Sequence, residues 1–512
     1  MSLGRVTSSA LVGIDAYGVT VEVDVHPGLA NFIIVGLPDT AVNESKERVR
    51  TAIKNSGLSF PNTRITVNLA PADVRKEGPN FDLPIALGIL AATGQLSPEC
   101  LSKTLILGEL GLDGATRPIA GALSAAIFAQ ADPEMEALLL PVDNAREAAV
   151  FGDLPVYGAG SLLEAIDILV DPVSAKPQPV QPTEFGSALN ECEEDMRDVK
   201  GQETARRAME VAAAGGHNMI MIGPPGSGKT MLARRLPTIL PPLTLSESIE
   251  TTRIHSAKGL MGPHQGLLAL RPFRAPHHTS SYAAIVGGGK FPRPGEISLA
   301  HNGVLFLDEM PEYDRDVLEA LRQPLEDGLV SVSRVAGHID FPAKFQLVAA
   351  GNPCPCGYFG DAMKQCTCSP SAIRRYLQRI SGPLMDRIDI HIEVPRVRQE
   401  DLLSLNLGEP SAPIRDRVTA ARERQYERLK GTGIYVNAHL SPRQLRETCP
   451  LSEPVKEFLQ MSCRKLGLSA RAFDRLVKLA RTIADLDGAS DIAVPHVAEA
   501  VQYRTMDRRA WA

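Results

Sequence analysis

The stretch Gly223-Pro224-Pro225-Gly226-Ser227-Gly228-Lys229-Thr230 decides the fold. It fills every fixed position of the nucleotide-binding P-loop pattern, and it follows the apolar run Asn218–Ile222. Glycines let successive backbone N–H groups converge on one phosphate, and the helix that follows offers its positive N-terminus. The segment from Gly223 to Thr230 is therefore expected to cradle a nucleoside triphosphate. Lys229 would reach the β- and γ-phosphates, and the Thr230 hydroxyl would hold Mg²⁺.

Downstream, the apolar run Val304–Leu307 ends in Asp308 and Glu309. A strand closing on two carboxylates after a P-loop places Asp308 on the Mg²⁺ ion and Glu309 against the attacking water. The next apolar run, Phe345–Ala350, leads to Asn352. A neutral amide that both donates and accepts suits the orientation of a water toward the γ-phosphate.

Around this centre the 512 residues have room for roughly two to four domains. Hydrophobic residues make up 44% and charged residues 22%, an ordinary globular balance. Aromatic residues make up 5%, which favours an α/β or helical protein over an all-β one. A net charge of −6 gives no support to bulk affinity for nucleic acid, so any contact with DNA must come from a local basic patch. The first ten residues show no signal-peptide pattern, no apolar run is long enough to span a membrane, and the expected address is the cytoplasm.

Strand-like and helix-like patterns alternate from residue 1 to about 172, including Val19–Val25 and a helix expected over Ser45–Ser56. Four prolines between Asp171 and Pro182 then read as an extended linker, taken as 173–193. Residues 194–395 carry the nucleotide-binding pattern. From Arg396 to the end the chain reads as helical and charged.

Cys354, Cys356, Cys366 and Cys368 form two Cys-x-Cys pairs within a candidate insertion, 353–370. In a chain without a secretion signal they point to reduced thiols or to metal ligands. Four thiolates would enclose one tetrahedral Zn²⁺ and staple an irregular segment. The runs Leu329–Val335 and Ile339–Phe345 alternate as a hairpin should. A glycine-rich loop with Lys290 and Arg293 is a second place where a phosphate backbone would be gripped.

The P-loop, the strand end at Asp308-Glu309, Asn352 and the segment Ser381–Asp389 together resemble the AAA+ ATPases. More narrowly, with Arg274–Ser280 and Asn352–Gly357, they resemble the magnesium-chelatase-like ComM (YifB) family over essentially the whole chain. The resemblance implies an α/β core with a parallel sheet, a helical lid over 396–512, and a homo-oligomeric ring, expected to be a hexamer. Arg387 would be the arginine finger acting on the neighbouring protomer's nucleotide. Arg471 sits where the family carries its lid arginine, with Arg475 as the competing choice. The hairpin would project into the ring pore, with Arg334, His338 and Lys344 as its polar contacts to DNA.

The N-terminal region, through Pro71–Asp82 and Arg117–Gly121, resembles the α+β proteolytic domain of Lon proteases. Asn80 stands at the nucleophile position and Leu123 at the partner lysine, so the dyad chemistry cannot run. The function implied is an ATP- and Mg²⁺-dependent DNA motor of helicase or branch-migration type. The alternative is an ATPase subunit driving metal insertion into a porphyrin.

Overall fold

Val19, Val21 and Val23 alternate along one strand and are all buried, the period of two that lays one strand face on a core. The computed structural model of the chain describes residues 3–180, 189, 192–289, 292–334, 337–361, 363–397, 407–467 and 469–504. These residues fall into two compact units. No helix among them is long and apolar enough to cross a membrane.

The first unit is built on a seven-stranded sheet. Its strands run in the order Asn31–Val35, Arg64–Ala70, Asp15–His26, Gly4–Val12, Thr104–Ile106, Ala137–Pro141 and Val156–Ala159. Asp15–His26 pairs antiparallel with both neighbours, whereas the pairs from Gly4–Val12 to Val156–Ala159 are parallel, so the sheet is mixed. Helix Thr40–Asn55 begins before the expected Ser45 because Asp39 caps it, accepting the Val42 N–H at 2.8 Å. Helix Asp82–Ala92 is apolar all round and buried from Asp82 to Ala91. It meets the sheet through Gly88, where a Cβ would lie 2.6 Å from Val23 Cγ2.

Asp82, fully buried at the head of that helix, is compensated by Arg48 at 2.6 and 3.0 Å. The Ser45 hydroxyl and the Leu110 N–H complete its partners. Leu245–Leu268, although inside the range expected for the nucleotide-binding core, groups with this first unit. Its helix Leu245–Lys258 is tied there by the Ser256 carbonyl, which accepts the Gly121 N–H at 3.0 Å, and by an Arg253–Asp15 ion pair.

In the second unit the apolar runs become a five-stranded sheet, ordered Phe273–Arg274, Val304–Leu307, Gln346–Gly351, Met219–Ile222 and Ile390–Glu393. All four pairings are parallel. Such strands are buried on both faces, and Met219–Ile222 and Val304–Leu307 are buried at every residue. The hairpin pairs Leu329–Arg334 with Gly337–Pro342, so its second strand starts before the expected Ile339. Helices Ser411–Arg428, Glu453–Leu466, Ala470–Leu486 and Val494–Gln502 follow. Ile414, Val418, Leu476 and Leu479 share one core with Met219, Met221, Val304 and Phe306.

Candidate nucleotide site

Parallel pairing puts the functional strand ends at one edge. Ile222 lies opposite Gly351, and Leu307 opposite Ala349, so the P-loop, Asp308-Glu309 and Asn352 all emerge there. The loop's shape depends on glycine: Gly226 and Gly228 have φ of +77° and +87°, and a Cβ at Gly223 would lie 2.1 Å from the Val394 carbonyl oxygen. Pro224, Pro225 and Ser227 fill the turn between them, and helix Lys229–Ile239 starts directly after Gly228.

Lys229 is buried, and its ammonium donates to the carbonyls of Gly223 at 2.8 Å and Pro224 at 3.0 Å. Burial pulls its pKa below that of an ordinary lysine, while the charges of Asp308 and Glu309 act in the opposite direction. The Thr230 hydroxyl donates to Asp308 Oδ2 at 2.6 Å. A hydroxyl and a carboxylate side by side are hard oxygen donors of the type Mg²⁺ takes, so the residues fit that ion.

Glu309 holds a left-handed backbone at φ +50°, sparsely populated for a residue with a side chain. Backbone strain of this kind gathers at functional positions. The Glu309 carboxylate faces His278, whose Nδ1 is 3.7 Å away. His278 in turn lies edge-on to Tyr313, whose hydroxyl donates to the Pro276 carbonyl at 2.5 Å and whose pKa is raised by burial. Within Arg274–Ser280, His278 carries no sequence signal that points to Glu309. Its distance from Glu309 along the chain leaves no local pattern by which to find it.

Arg387 stands at the opposite edge of the sheet. It precedes Ile390, and Ile390 pairs with Met219 at the start of the P-loop strand. Its guanidinium is ion-paired with Glu326 and donates to the Pro383 carbonyl at 2.6 Å. The Arg387 hydrogen bond holds Glu326 below the usual carboxylate range, with a further contribution from the charge of Arg471. Arg387 thus pairs with Glu326, and the charge of Arg471 acts on the same carboxylate.

Arg475 is committed elsewhere. Burial lowers its pKa, and it lies 3.5 Å from Asp389, which also hydrogen-bonds His217 at 2.9 Å. Burial disfavours the Asp389 charge, yet His217 and Arg475 hold its pKa well below the carboxylate range. Arg471, by contrast, is exposed.

The sulfurs of Cys354, Cys356, Cys366 and Cys368 all lie within 4.8 Å of one another. Backbone hydrogen bonds from Thr367 and Tyr358 lower the Cys356 thiol to about 6. At the hairpin, His338 is exposed and bonded to Ser333 and Asp340, and Lys344 is exposed just beyond the second strand. Arg334 ends the first strand of the hairpin. Arg293 is exposed, whereas Lys290 lies outside the described residues. The structure brings the nucleotide-site residues together; the DNA candidates lie on two separate segments.

The edge geometry is that of a P-loop ATPase. Family models agree with it and are more specific: residues 195–402 match a model described as magnesium chelatase, subunit ChlI. Residues 21–144 match a model for subunit ChlI of Mg-chelatase, and residues 408–504 match the ChlI C-terminal model. The chain is therefore an AAA+ ATPase of the magnesium-chelatase-like type.

It is 45% identical to the Competence protein ComM of Haemophilus influenzae, over 99% of this chain and 98% of that one. It is 44% identical to the YifB protein of Escherichia coli over the same shares. A more distant similarity, 26% identity over 31% of this chain and 33% of the other, links it to Lon protease 2 of Bacillus subtilis. The chain belongs to the ComM (YifB) magnesium-chelatase-like family.

Proposed function

We propose that the chain is a ring-forming, DNA-stimulated ATPase, a motor of helicase or branch-migration type that serves recombination or the integration of incoming DNA. The observation that carries this reading is the split of the catalytic set. Lys229, Thr230, Asp308, Glu309 and Asn352 share one sheet edge, and Arg387 occupies the other. A complete site then needs the Arg387 edge of a second copy, and a closed ring, taken as a hexamer, supplies it at every interface.

At such an interface Lys229 neutralises the β- and γ-phosphates, Glu309 takes the proton of the attacking water, and Asn352 orients that water. Arg387 stabilises charge on the transferred phosphoryl group, assisted by Arg471. Thr230 and Asp308 would hold Mg²⁺, which would supply neutralisation of the phosphate charge. The DNA assignment draws on the name of the competence relative and on the hairpin Leu329–Pro342, whose Val330, Val332 and Phe341 face inward while His338 is exposed. Arg334, His338 and Lys344 would contact the strand, with Arg293 and Lys290 on the glycine-rich loop. The N-terminal unit is proposed to be a Lon-like docking or assembly module without peptidase activity, since Asn80 and Leu123 supply neither nucleophile nor base.

The chelatase-subunit models favour a second reading, an ATPase that drives metal insertion into a porphyrin. Steady-state ATP hydrolysis, with and without single-stranded and forked DNA, separates the two. A DNA motor shows stimulation that disappears in Glu309→Gln, with turnover down about 10²–10⁴-fold. Hydrolysis indifferent to every DNA overturns the motor reading and leaves the chelatase-like one.

A further inference from the structure

The four cysteines stand next to the nucleotide site. Cys354 Sγ lies 3.3 Å from Cys356 Sγ and 3.6 Å from Cys366 Sγ, and the last two are 3.6 Å apart. A tetrahedral ion with metal–sulfur bonds of about 2.3 Å has ligand–ligand edges of about 3.8 Å, so the sulfurs already stand close to the spacing such an ion imposes. No histidine or carboxylate joins the group among the described residues. An all-thiolate set selects a soft or borderline divalent ion, and four protein ligands leave no open position for chemistry.

The surroundings are those of a closed structural centre. Cys354 is fully buried, and Ile373, Tyr376 and Leu377 cover the cluster from helix Pro370–Leu377. The described residues between Gly351 and Pro370 form neither helix nor strand. This segment therefore has little regular backbone pairing with which to hold its shape.

Two contacts connect that segment to the ATPase centre. Gly357, directly after Cys356, has φ +84° and donates its N–H to the Cys354 carbonyl at 2.9 Å. A Cβ on Gly357 would lie 2.7 Å from Pro225 Cδ in the P-loop and 3.8 Å from Asn352 Cγ. On the other side, Arg379, just past the covering helix, donates to the Pro311 carbonyl at 3.0 Å and pairs with Glu312 at 2.6 Å, in the turn after Glu309. The cysteine segment thus touches both the P-loop side and the acidic-strand side of the site.

We propose that Cys354, Cys356, Cys366 and Cys368 bind one Zn²⁺ ion, and that this centre is a brace holding Asn352 and Pro225 in register for ATP hydrolysis. The brace rests on the ATPase reading; the metal site does not. The test uses the full chain purified without chelators, assayed for bound metal and for ATP turnover. The expected content is roughly one zinc per chain. The double variant Cys366→Ser/Cys368→Ser should lose the metal, with turnover falling about tenfold or more.

To separate loss of the metal from loss of the fold, the wild-type protein is stripped with a chelator and reloaded. Zn²⁺ should restore the rate, and Co²⁺ should give thiolate-to-metal charge-transfer bands. Glu309→Gln, with its ligands intact, should retain zinc while failing to hydrolyse ATP, which separates failure of the metal site from failure of the ATPase assignment. Protein that carries no thiophilic metal and gives no charge-transfer band with Co²⁺ overturns the site. Stripped protein that hydrolyses ATP at the wild-type rate overturns the brace.

Discussion

Two arginines on one helix illustrate how location assigns work at the residue scale. Helix Ala470–Leu486 carries both Arg471 and Arg475, one turn apart, so spacing leaves either as the lid arginine. Burial separates them. Arg475 faces the buried Asp389, and replacing it with alanine removes one of that carboxylate's partners while His217 remains. Arg475→Ala should therefore destabilise the fold by about 3 kcal/mol, the lower end for breaking a buried pair. Arg471→Ala should leave the melting temperature unchanged and lower ATP turnover. Thermal denaturation beside steady-state hydrolysis checks both; the reverse pattern would exchange their roles.

Elements set by short-range pattern were legible in the sequence. Val304–Leu307 appears with the bounds expected, the region after Arg396 is helical as its pattern implies, and the P-loop and the Asp308-Glu309 strand end converge as their motifs imply. Features that depend on long-range approach were not legible. The placement of Leu245–Leu268 in the first unit, the pairing of His278 with Glu309, and the closure of Gly357 on Pro225 each join residues whose sequence spacing carries no periodic signal. The hairpin lies between these cases. Its alternation was visible, yet the start of its second strand at Gly337 was not, because register is fixed by the turn. If Lys344 meets a phosphate, Lys344→Ala should lower the slope of log affinity against log salt by about one, for every DNA sequence alike. An unchanged slope in salt titrations would remove Lys344 from the interface.

For the whole molecule, the decisive quantity is the distance between the two edges of the second sheet. Met219–Ile222 and Ile390–Glu393 are parallel and in register, so Arg387 and the P-loop are separated by the strand length, about 13 Å at 3.3 Å per residue. The Arg387 guanidinium is engaged by Glu326 rather than by the P-loop, and the proposed dependence on a neighbour can be measured without knowing the ring size. Lys229→Ala and Arg387→Ala should each be nearly inactive alone, the latter reduced about 10³–10⁵-fold. Mixed in equal amounts and allowed to reassemble, they place an intact P-loop against an intact Arg387 at about one interface in four. Turnover should rise to about a quarter of the wild-type value if interfaces fire independently, and to less if the ring hydrolyses in concert. Were Arg387 to act within its own chain, every subunit in the mixture would still lack one essential group, and mixing would restore nothing.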